Sequence, residues 1–436
     1  MTITNAPRFM LSNFLVAPAE FQIDQDRSLA WLAKIHAASE ATLHGLDSAA
    51  TEAFEAAMTR RIQRCACNRS KIANRGHVLP DIGTAVSVPQ TTDLGRPPSI
   101  YNVETNPQGH GTAARSQVFD QVVTAYFESA YAACSDAPTD LIHVTCTGYV
   151  SPSGAQKLVA SKGWSNQTHV THAYQMGCYA AFPALRIAAG FVASPSCLSS
   201  RGADRTAETR GWTGSTAIDQ PRRVDIVHTE LCTLHLDPSD HRLEQLVVQS
   251  LFADGFIRYS MQAMPTMPAS SASSAYDNRS QAMSPSQQRG LEILAIRELI
   301  VPETAGSMSW SVGDAGMQMT LARDVPAKIA TVLREFVTQL CGNANLSVAA
   351  LRDSIAAVHP GGPKIIDGVR DVLELTDAQV QTSRDVLFDH GNMSSATLPH
   401  IWARLVADPA VVAGTLILSL AFGPGLTVCG GLFRKL

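Results

Sequence analysis

Three short stretches carry residues able to do nucleophilic acyl chemistry: a cysteine, a histidine and an asparagine, each beside a turn. Cys178 stands in Met176-Gly177-Cys178-Tyr179-Ala180-Ala181, where a strand-like run gives way to an Ala-rich helix. Backbone N–H groups and the positive end of a helix at that point favour thiolate over thiol. Gly177 permits a tight turn beside the sulfur. His359 precedes Pro360-Gly361-Gly362-Pro363, a rigid turn that fixes the imidazole. Asn392 lies in Gly391-Asn392-Met393-Ser394-Ser395-Ala396, ahead of a helix start. Taken singly, each has an ordinary structural explanation: a buried core thiol, a histidine capping a loop, and an asparagine N-cap.

The elements that must position them alternate between strand and helix. Residues 27–63 carry apolar residues at helical spacing, among them Leu29, Leu32, Ile35 and Ala38, and a second helical pattern covers about 114–134. Leu141 to Thr145, Thr168 to Val170 and Val224 to His228 read as strands, and an Ala-rich helix follows Cys178 to about Gly190. The segment 264–289 is rich in Ser, Ala, Met and Pro and reads as a loop or linker. Beyond it come a strand region from Leu291 to Ile300 and two strands about a turn at Gly313-Asp314. Helices follow at 326–340, 362–374 and 394–406, then strands flanking Gly423-Pro424-Gly425. This is an α/β pattern with two similar halves, 1–263 and 290–436, on either side of the linker.

Composition narrows the function classes. Hydrophobic residues make up 45% and charged residues 17% of the 436, which leaves ample material for buried cores. The formal net charge of −4 gives no general affinity for nucleic acid. Nine cysteines in a chain this long do not form a small-scaffold disulfide framework. Cys65-x-Cys67 has no second pair nearby at zinc spacing. The apolar run Val411 to Phe422 is too short for a bilayer, which needs about 20 residues. No secretory leader is evident at Met1 to Phe14, so a cytoplasmic enzyme without membrane insertion is expected.

The order Cys, His, Asn, with the last two in the second half, matches the thiolase-fold condensing enzymes. The sequence resembles type III polyketide synthases, the chalcone synthase-like family, through MGCYAAFPALRIA, TELCTLHLDPSDHRLEQLVVQSLFADG, HPGGPKIIDGV, GNMSSA and AFGPGLTV. The likeness runs from about residue 140 to the end and more weakly from about residue 55. The histidine turn separates this branch from the ketoacyl synthase III enzymes.

The resemblance implies a five-layered αβαβα thiolase fold, a homodimer, and acyl-CoA and malonyl-CoA as substrates with no cofactor or metal. It implies that Cys178 takes the acyl group, that His359 pairs with Cys178 and keeps it ionised, and that His359 and Asn392 hold the enolate formed when malonyl loses CO2. Phe252 aligns with the family's gatekeeping phenylalanine. Arg61, Arg64 and Arg69 fall nearest the positions that bind coenzyme A phosphates, although a solvated basic helix face accounts for them equally well.

The pocket positions depart from the plant pattern. Met319 takes the place of a second gating phenylalanine, Ser151 the place of a residue reaching into the neighbouring subunit, and Trp310 that of a small residue beside the growing chain. Cys146, Thr147, His235 and Ser394 fall where the family shapes its elongation pocket. A flexible apolar Met319 suits an aliphatic starter, as in bacterial-type members that make alkylpyrones or alkylresorcinols. Two alternatives stay open: a stand-alone ketosynthase making one condensation, possibly with an acyl carrier protein, and a non-catalytic dimer partner.

Overall fold

Runs of Val, Ile and Leu fill the strands, and the longest are buried on both faces. A computed structural model describes residues 7–83, 99–194, 222–264 and 289–436. The Ser/Ala/Pro-rich linker expected at 264–289 therefore lies, from 265 to 288, outside the described residues.

Nine strands form one mixed sheet in the order β11-β12-β13-β8-β1-β7-β6-β4-β5. The first-half strands are β4 (Asp140–Thr145), β5 (His169–Tyr174), β6 (Arg223–Leu231) and β7 (Asp254–Ala263). The second-half strands are β8 (Leu291–Ile300), β11 (Ile355–Val358), β12 (Leu416–Gly423) and β13 (Thr427–Lys435). Between them runs β1 (Phe9–Ala17), antiparallel to both β7 and β8, with Phe9 opposite Ala263 on one side and Ile293 on the other. Every residue of β4 is buried, as parallel pairing with β5 and β6 requires.

Three apolar cores separate the layers. One joins the outer helices α1 (Gln25–His44), α2 (Ser48–Cys65), α3 (Thr112–Ala130) and α4 (Gly154–Ser161) to the first-half strands through Trp31, Phe119, Phe127 and Leu158. The central core holds α5 (Ala181–Ala193) and α10 (Thr397–Ala407), with Phe182, Leu185, Ile401 and Trp402 packed against strands of both halves. The third joins α7 (Val325–Asn343), α8 (Pro363–Leu373) and α9 (Asp377–His390) to the second-half strands. The two halves of this one sheet thus share the central helices and each carries its own outer helices, in keeping with the thiolase-like layering expected.

The single helix expected over 27–63 is two. Gly45 closes α1 in a left-handed conformation (φ 63°) and Asp47 caps α2 by accepting from the Ala50 N–H. Two smaller sheets stand apart from the main one. β2 (Phe21–Asp24) pairs with β3 (Asn74–His77), and β9 (Met308–Gly313) with β10 (Gly316–Leu321). The remaining helix, α6 (Leu243–Leu251), runs into Phe252.

Candidate active site

Cys178 sits in a single 3-10 turn, Gly177–Tyr179, between β5 and α5. The turn depends on Gly177, whose φ is +71° and where an added Cβ would come within 2.7 Å of Pro424. Gln175, two residues earlier, also has a positive φ of 61°. Such conformations in a non-glycine cost energy and collect at functional sites.

Asn392 is held through its backbone. Its N–H donates to Leu251 O and its carbonyl accepts from the Ala253 N–H, both at 2.9 Å. Its side-chain Oδ1 accepts from the Ser394 N–H at 2.9 Å. Asn392 is not the N-cap of the turn that follows, which is Met393; its oxygen instead closes a local turn two residues on, with Nδ2 on the other side of the amide. Ser394 opens the next turn with a φ of 48°, and its hydroxyl lies 3.8 Å from Cys178 Sγ and 3.1 Å from Cys146 Sγ.

His359 follows β11, and its N–H donates to Leu420 O in β12 at 2.8 Å. β12 packs against the Cys178 turn. The imidazole is 1% exposed, yet neither Nδ1 nor Nε2 has a hydrogen-bond partner. Buried polar atoms are seldom left so.

No hydrogen bond joins the His359 imidazole to Cys178. Burial pushes the Cys178 thiol up to about 12 and the His359 imidazole down to about 3, so at neutral pH both are uncharged. Desolvation outweighs the helix end here, because the sulfur is enclosed by Phe252, Cys232 and Val248.

Cys178, Phe252, Cys146, Ser394, Trp310 and Met319 line one cavity, together with Cys232, Met308 and Ser309, none of which the sequence reading singled out. Phe252 is fixed by the buried Arg75, whose Nη1 donates to Phe252 O at 2.9 Å and Gln249 O at 2.7 Å. Asp254, two residues on, accepts from the Val78 and Thr233 backbone N–H groups and the Thr233 hydroxyl.

Two expected pocket residues stand behind the wall instead. The Thr147 hydroxyl donates to Glu230 and accepts from the Leu231 N–H. His235 Nε2 donates to Thr147 O at 2.8 Å and its Nδ1 accepts from the Met317 N–H at 3.1 Å, so both ring nitrogens are spent on clamping β10. Ser151 is exposed and, with the cis bond to Pro152, lies outside this chain's own cavity. Arg61, Arg64 and Arg69 are exposed at and beyond the end of α2, where Arg69 meets Asp26 at 3.7 Å. Lys71 and Lys364 both act on the nearby Cys67 thiol, which brings the first turn of α8 to the same basic region. Lys364 went unnoticed in the sequence because that proximity is purely tertiary.

Glu230 was also missed. It is fully buried and accepts from Cys146 N–H and Sγ, from the Thr147 hydroxyl and from the Ser395 hydroxyl. Burial raises its carboxyl to about 7, against the pull of those donors. His228 Nδ1 meets Ser395 Oγ at 2.9 Å and its Nε2 meets the Tyr259 hydroxyl at 3.1 Å, extending the chain of polar groups into the core. The available signal was an acid in Val227-His228-Thr229-Glu230-Leu231, which continues the strand-like run Val224 to His228.

Residues 292–436 match the family described as chalcone and stilbene synthases, C-terminal domain. Type III polyketide synthase C of Arabidopsis thaliana is 29% identical over 304 residues, 68% of this chain and 68% of that one. The comparisons support the type III polyketide synthase, chalcone synthase-like family. In structure, the C-terminal type III polyketide synthase domain of Steely1 from Dictyostelium gives a TM-score of 0.72 at 20% identity, covering 98% of this chain and 99% of that one. PKS-I from the brown alga Ectocarpus siliculosus gives 0.75 at 18%, covering all of both. These likenesses establish the thiolase fold of the type III polyketide synthases. Among the described residues, no helix is long and apolar enough to cross a membrane.

Proposed function

We propose that this chain is a type III polyketide synthase that condenses malonyl-CoA onto an acyl starter held on Cys178. The observation that carries the reading is a single one. The Cys178 turn packs against the Ser394–Ala396 turn that follows Asn392 and against β12, to which the His359 backbone is bonded, while the His359 imidazole is buried with no hydrogen bond to either nitrogen.

In this reading His359 and Asn392 Nδ2 donate to the malonyl thioester oxygen. Loss of CO2 leaves an enolate, and its negative charge is held by those two donors. The enolate carbon attacks the Cys178 thioester, the Cys178 thiolate leaves, and the extended chain is recaptured for the next round. A neutral His359 suits this role, since it keeps one N–H to donate and one nitrogen to receive the Cys178 proton when a thioester arrives. The departing CO2 generates the nucleophile, so no cofactor is invoked. Arg61, Arg64 and Lys364 supply cations for coenzyme A phosphates. The protein acts as a homodimer, in which Ser151 faces the neighbouring subunit.

The starter is aliphatic and the product a pyrone or resorcinol, the bacterial-type outcome. The support is the apolar, sulfur-rich wall of Phe252, Met308 and Met319, and not lineage. The test is a product assay: labelled malonyl-CoA with acyl-CoAs from acetyl to long chain, read by mass spectrometry. Cyclised triketides or tetraketides from aliphatic starters are expected. Turnover only with carrier-protein thioesters, stopping at one condensation, would replace this reading with that of a chain-joining ketosynthase.

A further inference from the structure

The cavity at Cys178 measures about 20 Å³, room for about one water molecule. Small-molecule sites run from roughly 300 Å³ upward. As it stands, the site holds no acyl chain at all, and Cys178 and Phe252 are each only 9% exposed. Something in the wall must give way before any thioester reaches the sulfur.

One wall, the β9–β10 hairpin, stands apart from the main sheet and is tied at the foot of β9 by the Gly425 N–H, which donates to Met308 O at 3.0 Å. Its two strands pair with each other and with no strand of the nine-stranded sheet. It is held by discrete hydrogen bonds. At the tip, the Thr112 N–H donates to Asp314 O at 2.8 Å. On β10, the Met317 N–H donates to His235 Nδ1, and Gln245 Nε2 donates to Met319 O at 2.5 Å. On β9, one side chain makes the link to the cavity itself: the Trp310 indole N–H donates to Cys146 O at 2.6 Å. Gln175 Nε2 steadies the Trp310 carbonyl at 3.0 Å, and His235 packs edge-on against the indole, 5.8 Å between centroids. Trp310 is the largest side chain in the lining and is itself only partly buried, so it has solvent to turn into.

From this we infer that Trp310 is a latch: its indole closes the acyl cavity by bonding the Cys146 carbonyl, and its release sets which chains reach Cys178. The latch rests on the proposed synthase reading for the identity of the chain, but not for the closure. Opening breaks the Trp310–Cys146 hydrogen bond and moves the ring, the bulkiest plug, off the sulfur. Chains wider than the space the ring vacates stay out, so the residue governs starter choice as well as access.

Closure is tested on the full-length protein with alkylating reagents of two sizes, iodoacetamide and fluorescein maleimide, reading the Cys178 peptide by mass spectrometry at pH 9. Cys341, fully buried in α7, reports general loosening. Trp310→Phe keeps most of the bulk and loses the N–H. It should speed Cys178 labelling by both reagents about fivefold, the worth of one hydrogen bond of about 1 kcal/mol. Trp310→Gly should speed the bulky reagent at least tenfold and iodoacetamide by less, with Cys341 unchanged in both variants. Should either variant fold poorly, shown by Cys341 labelling, the other carries the test. Unchanged Cys178 rates in a folded variant, or equal acceleration at Cys178 and Cys341 in both, would overturn the latch. The product assay separates the two ideas: a wild-type protein that makes no polyketide but shows the size-dependent labelling keeps the latch and loses the synthase reading. Normal polyketide output with Trp310-independent labelling does the reverse.

Discussion

Phe252 and Asn392 meet in an isolated parallel β-bridge. The residue placed to gate the site and the amide placed to hold an enolate are thus parts of one backbone unit, buttressed by Arg75 and Asp254. A shift in either moves the other, which explains why so much buried charge is spent on a single loop.

Cys178→Ala should abolish polyketide product while malonyl-CoA decarboxylation survives, because the enolate is held by other groups. Asn392→Leu should lower condensation about 10²- to 10³-fold, the cost of one oxyanion donor, yet leave acyl loading on Cys178 intact. Intact-protein mass after starter addition distinguishes the two. Loss of loading in Asn392→Leu would place Asn392 in acylation.

The resting thiol should behave as uncharged. With Cys178 near 12 and His359 near 3, iodoacetamide labelling of Cys178 should rise about tenfold per pH unit from 7 to 10, as thiolate fraction dictates. A plateau reached at or below pH 7 would mean the ion pair exists in the free protein after all.

Acid should weaken the fold. Burial depresses His143, His228 and His359 to about 3 and His36 and His400 to about 4. A depressed folded pKa gives stability that is complete above the unfolded value, about 6.5, and is lost as pH falls toward the folded one. Glu230 at about 7 and Asp254 at about 6 are raised, so their contribution has the opposite sign, complete in acid and lost as pH rises through 6 to 7. The two sets offset each other in part down to about pH 4.5. Below that the two raised acids no longer respond while the histidines still do, and Tm should drop steeply, by 10 °C or so per pH unit as an order of magnitude. A flat Tm from pH 4.5 to 3.5 by scanning calorimetry would contradict the assignment.

Gly148 should not tolerate a methyl group. A Cβ there would lie 2.2 Å from the Phe119 ring, so Gly148→Ala should cost about 1–3 kcal/mol of stability through overpacking. The measurement is the urea midpoint, and a midpoint within error of wild type would show that Phe119 can yield.

Much of this was legible in the residues. Gly177, the Pro-Gly-Gly-Pro turn and Asn392 each announce a turn, and the apolar runs at 141–145 and 224–228 mark buried strands. Register along a chain, however, says which position faces a site and not where its hydrogen bonds go. His235 and Thr147 fall in the right register, yet their polar atoms are consumed by Met317, Glu230 and Leu231. The helix end beside Cys178 argues for thiolate, but the desolvation that defeats it comes from Phe252, Cys232 and Val248, brought in from elsewhere. β1 carries no signal of its central place, because its partners are distant in sequence.

That central place bears on how the molecule is made. Phe9–Ala17 precedes both its partners in the chain, yet it lies in the middle of the sheet, between β7 and β8. It waits through some 245 residues for β7 and longer for β8. During synthesis its apolar face and both hydrogen-bonding edges stay open until β7 and β8 have been made, a window in which sister chains can pair with it instead. Expression yield should therefore respond to synthesis rate and to chaperone supply more than to any substitution at the catalytic turns.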